Sequence, residues 1–227
     1  MNLPLIDLFK KPYHQYYKQQ AIPDPLIHPR DGGIYAWLTA GTDNGFSMHI
    51  DEMIATQGNW WSAMPHNTPM ALSDYQCRYP EYDLLQVDAA INDIGITLSG
   101  GQFVFHGGAW PTARIPGASF ITNRPLSTTL SPNVASAEPL HLGKAYKQGY
   151  VDIIVLRVTN PKTNCYVFDK KDSFLGHENE VLFASMAQLK FVREQFIQKT
   201  EVTDFIPGSL AAPTKTVPVY LVEAEIS

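Results

Sequence analysis

The run from Tyr150 to Val158 limits the possible folds more than any other part of the sequence. It is nearly all apolar and rich in β-branched residues, with one aspartate and one arginine inside it. Such a run fits the pleated surface of a sheet and favours a strand that is covered on both faces. Asn160 and Pro161 then end it, because proline cannot continue the hydrogen-bonded ladder. We therefore predict a central strand here.

Helical spacing and β-prone segments are divided between the two halves of the chain. Helices are expected near residues 31–41, 47–56 and 80–94, the last ended by Gly95, and residues 60–69 are assigned to an aromatic and proline-rich surface stretch. Short strands are expected near residues 102–106 (stopped by Gly107 and Gly108), 119–122, 125–131, 165–168, 178–183 and 218–226, with a helical turn at 134–137 and a strand or short helix at 190–195. Helices followed by many short strands indicate an α+β fold with a mixed or mostly antiparallel sheet.

Composition narrows the classes of function. A hydrophobic fraction of 44% in 227 residues is enough for a sizeable core, in one domain with an extension or in two small ones. The net charge of −5 argues against a dedicated nucleic-acid or membrane-surface binder. Cys77 and Cys165 lie far apart, which favours a reduced, cytosolic setting over a disulfide framework. The first residues do not resemble a signal peptide, and no apolar run is long enough for a membrane span.

Three polar motifs accompany the predicted strands. They are Phe105-His106-Gly107, Ser127-Thr128-Thr129 and Glu178-Asn179-Glu180, the last directly before an apolar run. In an extended strand Glu178 and Glu180 would project from the same face. Two like charges side by side cost stability, so a hydroxyl or a positive charge is expected opposite them. A solvated strand end is the alternative explanation for the glutamate pair taken alone.

In this order, the motifs resemble those of the mono-ADP-ribosyltransferase family, in its arginine-serine-glutamate clade of bacterial toxins and effectors. That clade has an aromatic-Arg-Gly strand end, a Ser-Thr-Ser strand and a Glu-x-Glu strand. Here 21 residues separate His106 from Ser127 and 53 separate Ser127 from Glu180, similar to the family's layout. The resemblance covers residues 80–227. It implies an ADP-ribosyltransferase-like fold with two small mixed or antiparallel sheets around an NAD cleft. Residues 1–80 would be a mostly helical extension packed on the core formed by residues 81–227.

The resemblance also implies catalytic roles and a co-substrate. The co-substrate is NAD, and no metal is required. Glu180 would stand beside the positive charge that develops on the ribose and hold its 2′-hydroxyl, as in glycoside hydrolysis. Glu178 would activate or orient the acceptor, and in the family a glutamate there goes with arginine as acceptor. Ser127 would orient Glu180.

Further residues are assigned to NAD and acceptor binding by the same resemblance. His106, Gly107, Ser127, Thr128 and Thr129 would line the NAD site, and Phe174 would contact the acceptor from the loop before Glu178. The family clade has arginine where this chain has His106, and another clade has histidine there with tyrosine in the second motif. This chain therefore resembles a hybrid. Arg114 or Arg124 would supply the positive charge for the pyrophosphate, with an ordinary surface arginine as the alternative.

These expectations define a leading function and its rivals. The leading one is transfer of ADP-ribose from NAD to an arginine of a protein. The rivals are an NAD glycohydrolase, transfer to a nucleic acid, and a degenerate fold that only binds a partner. As an effector, the protein would act in a cytoplasm after secretion or injection without a signal peptide, with an immunity or chaperone protein as a further partner.

Overall fold

The computed structural model describes residues 1–8, 46–58, 60–169, 175–208 and 212–227. The helix expected near residues 31–41 lies outside the described residues. The helices of the described N-terminal half are α1 (Phe46–Met53), which continues into a π-helical turn (Ile54–Gly58), a 3₁₀ turn (Trp60–Ala63), α2 (Met70–Arg78) and α3 (Leu84–Ile94). Helix α2 was not predicted from the sequence. None of the described helices is both long and apolar enough to cross a bilayer.

One helix prediction and one surface prediction need correction. Helix α3 begins four residues later than expected because Asp83 caps it, its side chain accepting hydrogen bonds from the backbone N–H groups of Leu85 and Gln86. Its end is as predicted, since Gly95 adopts a left-handed conformation with φ of 64°. The stretch assigned to the surface is partly core, because the side chain of Trp60 is fully buried.

Eight strands join in one mixed sheet. Along the sheet their order is β4 (Ser119–Ile121), β9 (Gln188–Thr203), β10 (Thr214–Ile226), β6 (Val151–Val158), β3 (Phe103–Gly108), β5 (Leu126–Thr129), β8 (Glu180–Phe183) and β7 (Cys165–Val167). Strands β1 (Asn2–Leu3) and β2 (Thr97–Leu98) form a separate parallel pair. The predicted α+β class is confirmed. The strands expected in two small sheets are hydrogen-bonded as one large sheet and one pair.

Strand β6 lies inside the large sheet, as its composition predicted. It pairs parallel with β10 and antiparallel with β3. Every residue of β6 except Arg157 is buried. The segment expected as a strand or short helix near residues 190–195 is part of the long strand β9, which pairs antiparallel with β10. The site motifs lie on the other side of β6, on β3, β5 and β8.

Strand β3 extends through Gly107 and Gly108, so the prediction that these glycines stop it is wrong. The reason lies in helix α4 (Pro132–Ala137), which packs directly against the strand. A Cβ atom on Gly107 would lie 1.9 Å from the carbonyl oxygen of Ala135. Glycine is present here because the helix leaves no room for a side chain, and the backbone stays extended.

Candidate active site

Glu180 is a buried acid held by two neutral donors. It is the first residue of β8, and its side chain is 4% exposed. Oγ of Ser127 donates a hydrogen bond of 2.6 Å to Oε1, and Nε2 of Gln76 donates one of 2.8 Å to Oε2. Burial raises the pKa of Glu180 to about 7, although both hydrogen bonds oppose this shift. Near neutral pH this carboxyl therefore exchanges between its protonated and ionised forms.

The second motif contributes one hydroxyl to Glu180. Strand β5 pairs antiparallel with β8, which places Ser127 beside the carboxyl. The hydroxyl of Thr128 donates to the carbonyl oxygen of Val181 at 2.7 Å. The hydroxyl of Thr129 donates to the carbonyl oxygen of Glu178. The two threonine hydroxyls thus hold neighbouring backbone in place, whereas that of Ser127 binds the acid.

Glu178 does not lie in the strand, so the prediction that an extended Glu-x-Glu segment presents both acids is wrong. Glu178 ends a 3₁₀ turn (Gly176–Glu178), and Asn179 adopts a left-handed conformation with φ of 49°. Asparagine tolerates this conformation. Asn179 is also buried and donates a hydrogen bond of 3.0 Å to Asp51 on α1. The chain therefore turns between the two acids.

The negative charge of Glu178 nevertheless repels that of Glu180 and so contributes to the raised pKa of the Glu180 carboxyl. Glu178 itself is half-buried. Burial raises the pKa of Glu178, the nearby charge of Glu138 adds to the shift, and Lys144 opposes it. Glu138 and Lys144 are themselves an ion pair. Glu178 thus interacts electrostatically with the buried acid and with a more exposed pair of opposite charges.

His106 is held in one tautomer by the neighbouring strand. Its Nδ1 lies 2.7 Å from the carbonyl oxygen of Ser127. Since a carbonyl can only accept, Nδ1 carries the proton and Nε2 is left as an acceptor. Burial lowers the pKa of His106, outweighing the opposing effect of the Ser127 hydrogen bond, so the ring is neutral at pH 7. A Cβ atom on Gly108 would lie 2.6 Å from Nε2, so glycine at that position makes room for the imidazole.

The two candidate arginines have different surroundings. Arg114 binds Asp152 on β6 at 2.7 and 2.9 Å and also binds Glu194 on β9, so its charge is already shared between two acids. Arg124 is exposed and donates a hydrogen bond of 3.3 Å to the hydroxyl of Tyr79. The charge of Arg124 is among those that act on His106. Phe174 lies outside the described residues.

Sequence reasoning missed two residues of this site. Gln76 belongs to α2, and 104 residues separate it from Glu180, so no local motif could connect them. Gly108 was noticed only as a turn signal. Within the described residues, no group of three or more histidine, cysteine, aspartate or glutamate side chains is placed to hold a metal ion.

Comparison with known proteins gives structural likenesses alone. No family model and no curated protein matches this sequence. Vis from Vibrio splendidus, an ADP-ribosyltransferase solved in complex with agmatine, is 12% identical over 94% of this chain and 89% of its own, with a TM-score of 0.39. Plx2a, an ADP-ribosyltransferase toxin from Paenibacillus larvae, is 10% identical over 85% of this chain and 90% of its own, with a TM-score of 0.37.

The enzymatic component C2-I of the C2 toxin from Clostridium botulinum is also similar. It is 12% identical over 86% of this chain and 46% of its own, with a TM-score of 0.34. This chain therefore spans about half the length of C2-I. At such identities and TM-scores the likenesses carry no argument about activity, and the function proposed below rests on the geometry of the site.

Proposed function

We propose that this protein is a mono-ADP-ribosyltransferase, which cleaves NAD between nicotinamide and ribose and transfers ADP-ribose to an arginine side chain of a protein. One observation carries the proposal. Glu180 is a buried carboxyl bound by two neutral donors, Ser127 and Gln76, and a neutral histidine lies on the second strand from it in the same sheet. Among the residues that the structure describes, no cation is hydrogen-bonded to this carboxyl, so its negative charge is not compensated by them.

Such a charge suits the bond that breaks. As nicotinamide leaves with the bonding electron pair, positive charge develops on the ribose, as in the oxocarbenium-like transition state of glycoside hydrolysis. The ionised carboxylate of Glu180 stabilises that charge from a site of low dielectric. One well-placed electrostatic group of this kind contributes about 10²–10³ in rate. The 2′-hydroxyl of the ribose would donate to the same carboxylate.

The remaining motif residues fit the rest of NAD. The free lone pair on Nε2 of His106 would accept a hydrogen bond from a ribose hydroxyl. Gly107 would offer backbone N–H and C=O groups to the nicotinamide amide, and Arg124 a positive charge to the pyrophosphate. Thr128 and Thr129 would act through the backbone that they fix beside Ser127.

Glu178 is the residue that we propose to bind and activate the acceptor. Its half-buried carboxyl, with a raised pKa, can orient a guanidinium by two hydrogen bonds and take its proton. In the transfer step, the acceptor nitrogen forms a bond to the ribose C1′ as the bond to nicotinamide breaks. The proton released from that nitrogen passes to Glu178. Phe174 would contact the acceptor. The protein would modify its target in a cytoplasm.

The test is transfer of labelled ADP-ribose from NAD, with nicotinamide release measured in parallel. Agmatine serves as a soluble guanidinium acceptor, and Gln188→Ala on β9 as the matched control. We expect wild type and Gln188→Ala to label agmatine equally and Glu180→Gln to lose the reaction. Equal labelling by Glu180→Gln and wild type would overturn the assignment.

A second variant separates the acceptors. Glu178→Gln should lose transfer to agmatine but keep nicotinamide release into water, because Glu178 acts on the acceptor and Glu180 on the ribose. If wild type releases nicotinamide at the same rate with and without agmatine and labels no acceptor, the protein is an NAD glycohydrolase.

A further inference from the structure

We propose that Gln76 is a positioning residue for Glu180, which fixes the orientation of its carboxyl group by a hydrogen bond and adds no charge of its own. This inference rests on the proposed function for its catalytic meaning. Gln76 belongs to α2, outside the three motifs that accompany the predicted strands. Its Nε2 donates to Oε2 of Glu180 at 2.8 Å, while Ser127 occupies Oε1 at 2.6 Å. Each carboxylate oxygen thus has its own donor, which fixes the plane of the group.

The helix that carries Gln76 is itself firmly anchored. On α2, Leu72 is fully buried and Tyr75 is 6% exposed. The ring of Tyr75 packs edge-on against that of Tyr82 at 4.8 Å and against that of Tyr79 at 5.9 Å. Leu72 and Tyr75 belong to the hydrophobic core, and Gln76 directly follows Tyr75, so its backbone is held where the helix packs. The amide therefore reaches Glu180 from a fixed point.

The neutrality of the donor matters for the chemistry. A lysine or arginine at this position would stabilise the carboxylate but cancel the field that the developing ribose cation requires. An amide stabilises the ionised form through one hydrogen bond and adds no charge. The hydrogen bond from Gln76 lowers the pKa of Glu180 against the larger effect of burial. Without it, less of Glu180 is ionised at neutral pH.

The experiment measures the titration of Glu180 directly. Protein labelled with ¹³C at glutamate carboxyls is titrated by NMR, and Glu180→Gln identifies the resonance. Gln76→Leu removes the donor, Gln76→Asn withdraws it by one methylene, and Gln188→Leu is the control on β9. Since a hydrogen bond to a charged group contributes about 1.5–3 kcal/mol, Gln76→Leu should raise the midpoint of Glu180 by about one to two pH units. Gln76→Asn should raise it by less, and Gln188→Leu should leave it unchanged.

The rate of nicotinamide release provides a second readout. In Gln76→Leu, the acidic limb of kcat/KM should move upward with the NMR midpoint, and the lost activity should return at high pH. A residue with only a structural role would lower the unfolding midpoint and leave both titrations where they are, which would overturn the proposal. If wild type releases no nicotinamide at any pH, the proposed function fails, while the NMR titration still decides the role of Gln76.

Discussion

Two buried acids in one sheet, Glu180 and Asp152, have opposite kinds of partner. Asp152 on β6 is fully buried and accepts two hydrogen bonds from Arg114, at 2.7 and 2.9 Å, and one of 2.8 Å from the backbone N–H of Trp110. Burial raises the pKa of Asp152, and the N–H of Trp110 and the charge of Arg114 oppose that shift. Glu180 is almost as buried, but its two donors are neutral.

The comparison separates a structural acid from the acid to which we assign the chemistry. An acid that faces an arginine is stabilised as a carboxylate, and its negative charge is compensated by that partner. An acid that faces only an amide and a hydroxyl keeps an uncompensated negative charge when it ionises. Burying such a group costs stability and raises its pKa towards neutrality. The chain tolerates such a cost where the charge is used for chemistry. The predictions below test this difference.

The largest expected effect is on Asp152. Asp152→Asn removes the buried one of the two acids that compensate Arg114 and leaves Glu194 as its remaining partner. Because breaking a buried ion pair costs about 3–5 kcal/mol when no other partner remains, we expect a loss of about 3 kcal/mol here. Urea unfolding at pH 7 measures the loss. The double variant Asp152→Leu with Arg114→Leu should lose less, because no buried charge remains unpaired. If the single variant is as stable as wild type, Asp152 is not the structural half of this comparison.

The second prediction concerns the stability of Glu180→Gln. A carboxyl whose pKa is higher in the folded than in the unfolded protein binds more protons when folded, so stability falls as pH rises through that window. For Glu180 the window runs from the ordinary glutamate value to about 7. Wild type should therefore lose stability between pH 5 and pH 8 in a way that Glu180→Gln does not. The free energy of unfolding of the variant minus that of wild type should rise by about 2 kcal/mol over this range. Denaturation at both pH values measures the difference, and a constant difference would contradict a raised pKa.

A third prediction concerns the pH dependence of the wild-type reaction. In the proposed reaction the ionised form of Glu180 stabilises the ribose cation, and burial raises the pKa of Glu180 to about 7. Nicotinamide release should therefore be nearly constant above that pH and fall about tenfold per pH unit below it. A profile of kcat/KM from pH 5 to pH 9 measures this. An acidic limb near the ordinary glutamate value would mean that burial does not govern the acid.

The smallest effect is expected for Ser127→Ala. Loss of one hydrogen bond to a carboxylate should lower nicotinamide release at pH 7 about tenfold and move the acidic limb upward. Ser136→Ala is a suitable control, because that hydroxyl donates to Asn133 on helix α4, away from the carboxyl. A limb that stays in place would show that Ser127 does not act through Glu180.

The sequence predicted the central strand and one contact of the candidate site, but not the turn between the two glutamates. The β-branched run predicted the central strand β6, and the resemblance of the motifs to a known family implied that Ser127 orients Glu180, to which it donates a hydrogen bond of 2.6 Å in the structure. The prediction that Glu178 and Glu180 alternate with Asn179 along an extended strand was wrong. Asn179 turns the chain there, and its side chain is held by Asp51 on a distant helix.

The contributions of Gln76 and Gly108 could not be predicted either. Both depend on contacts across the sheet or between distant segments. Gln76 approaches Glu180 only because α2, which buries Leu72 and Tyr75 in the core, brings this amide to a strand 104 residues away. Gly108 makes room for a histidine whose ring orientation is set by the carbonyl of Ser127. Pattern within a segment carries no information about such neighbours.

The most direct test of the central claim is the rate of nicotinamide release from NAD at pH 8 by wild type and by Glu180→Gln. If the charge of Glu180 is kept for the ribose cation, the variant should be folded and slower by about 10²–10³. A Glu180→Gln protein that is folded and releases nicotinamide as fast as wild type would contradict the account.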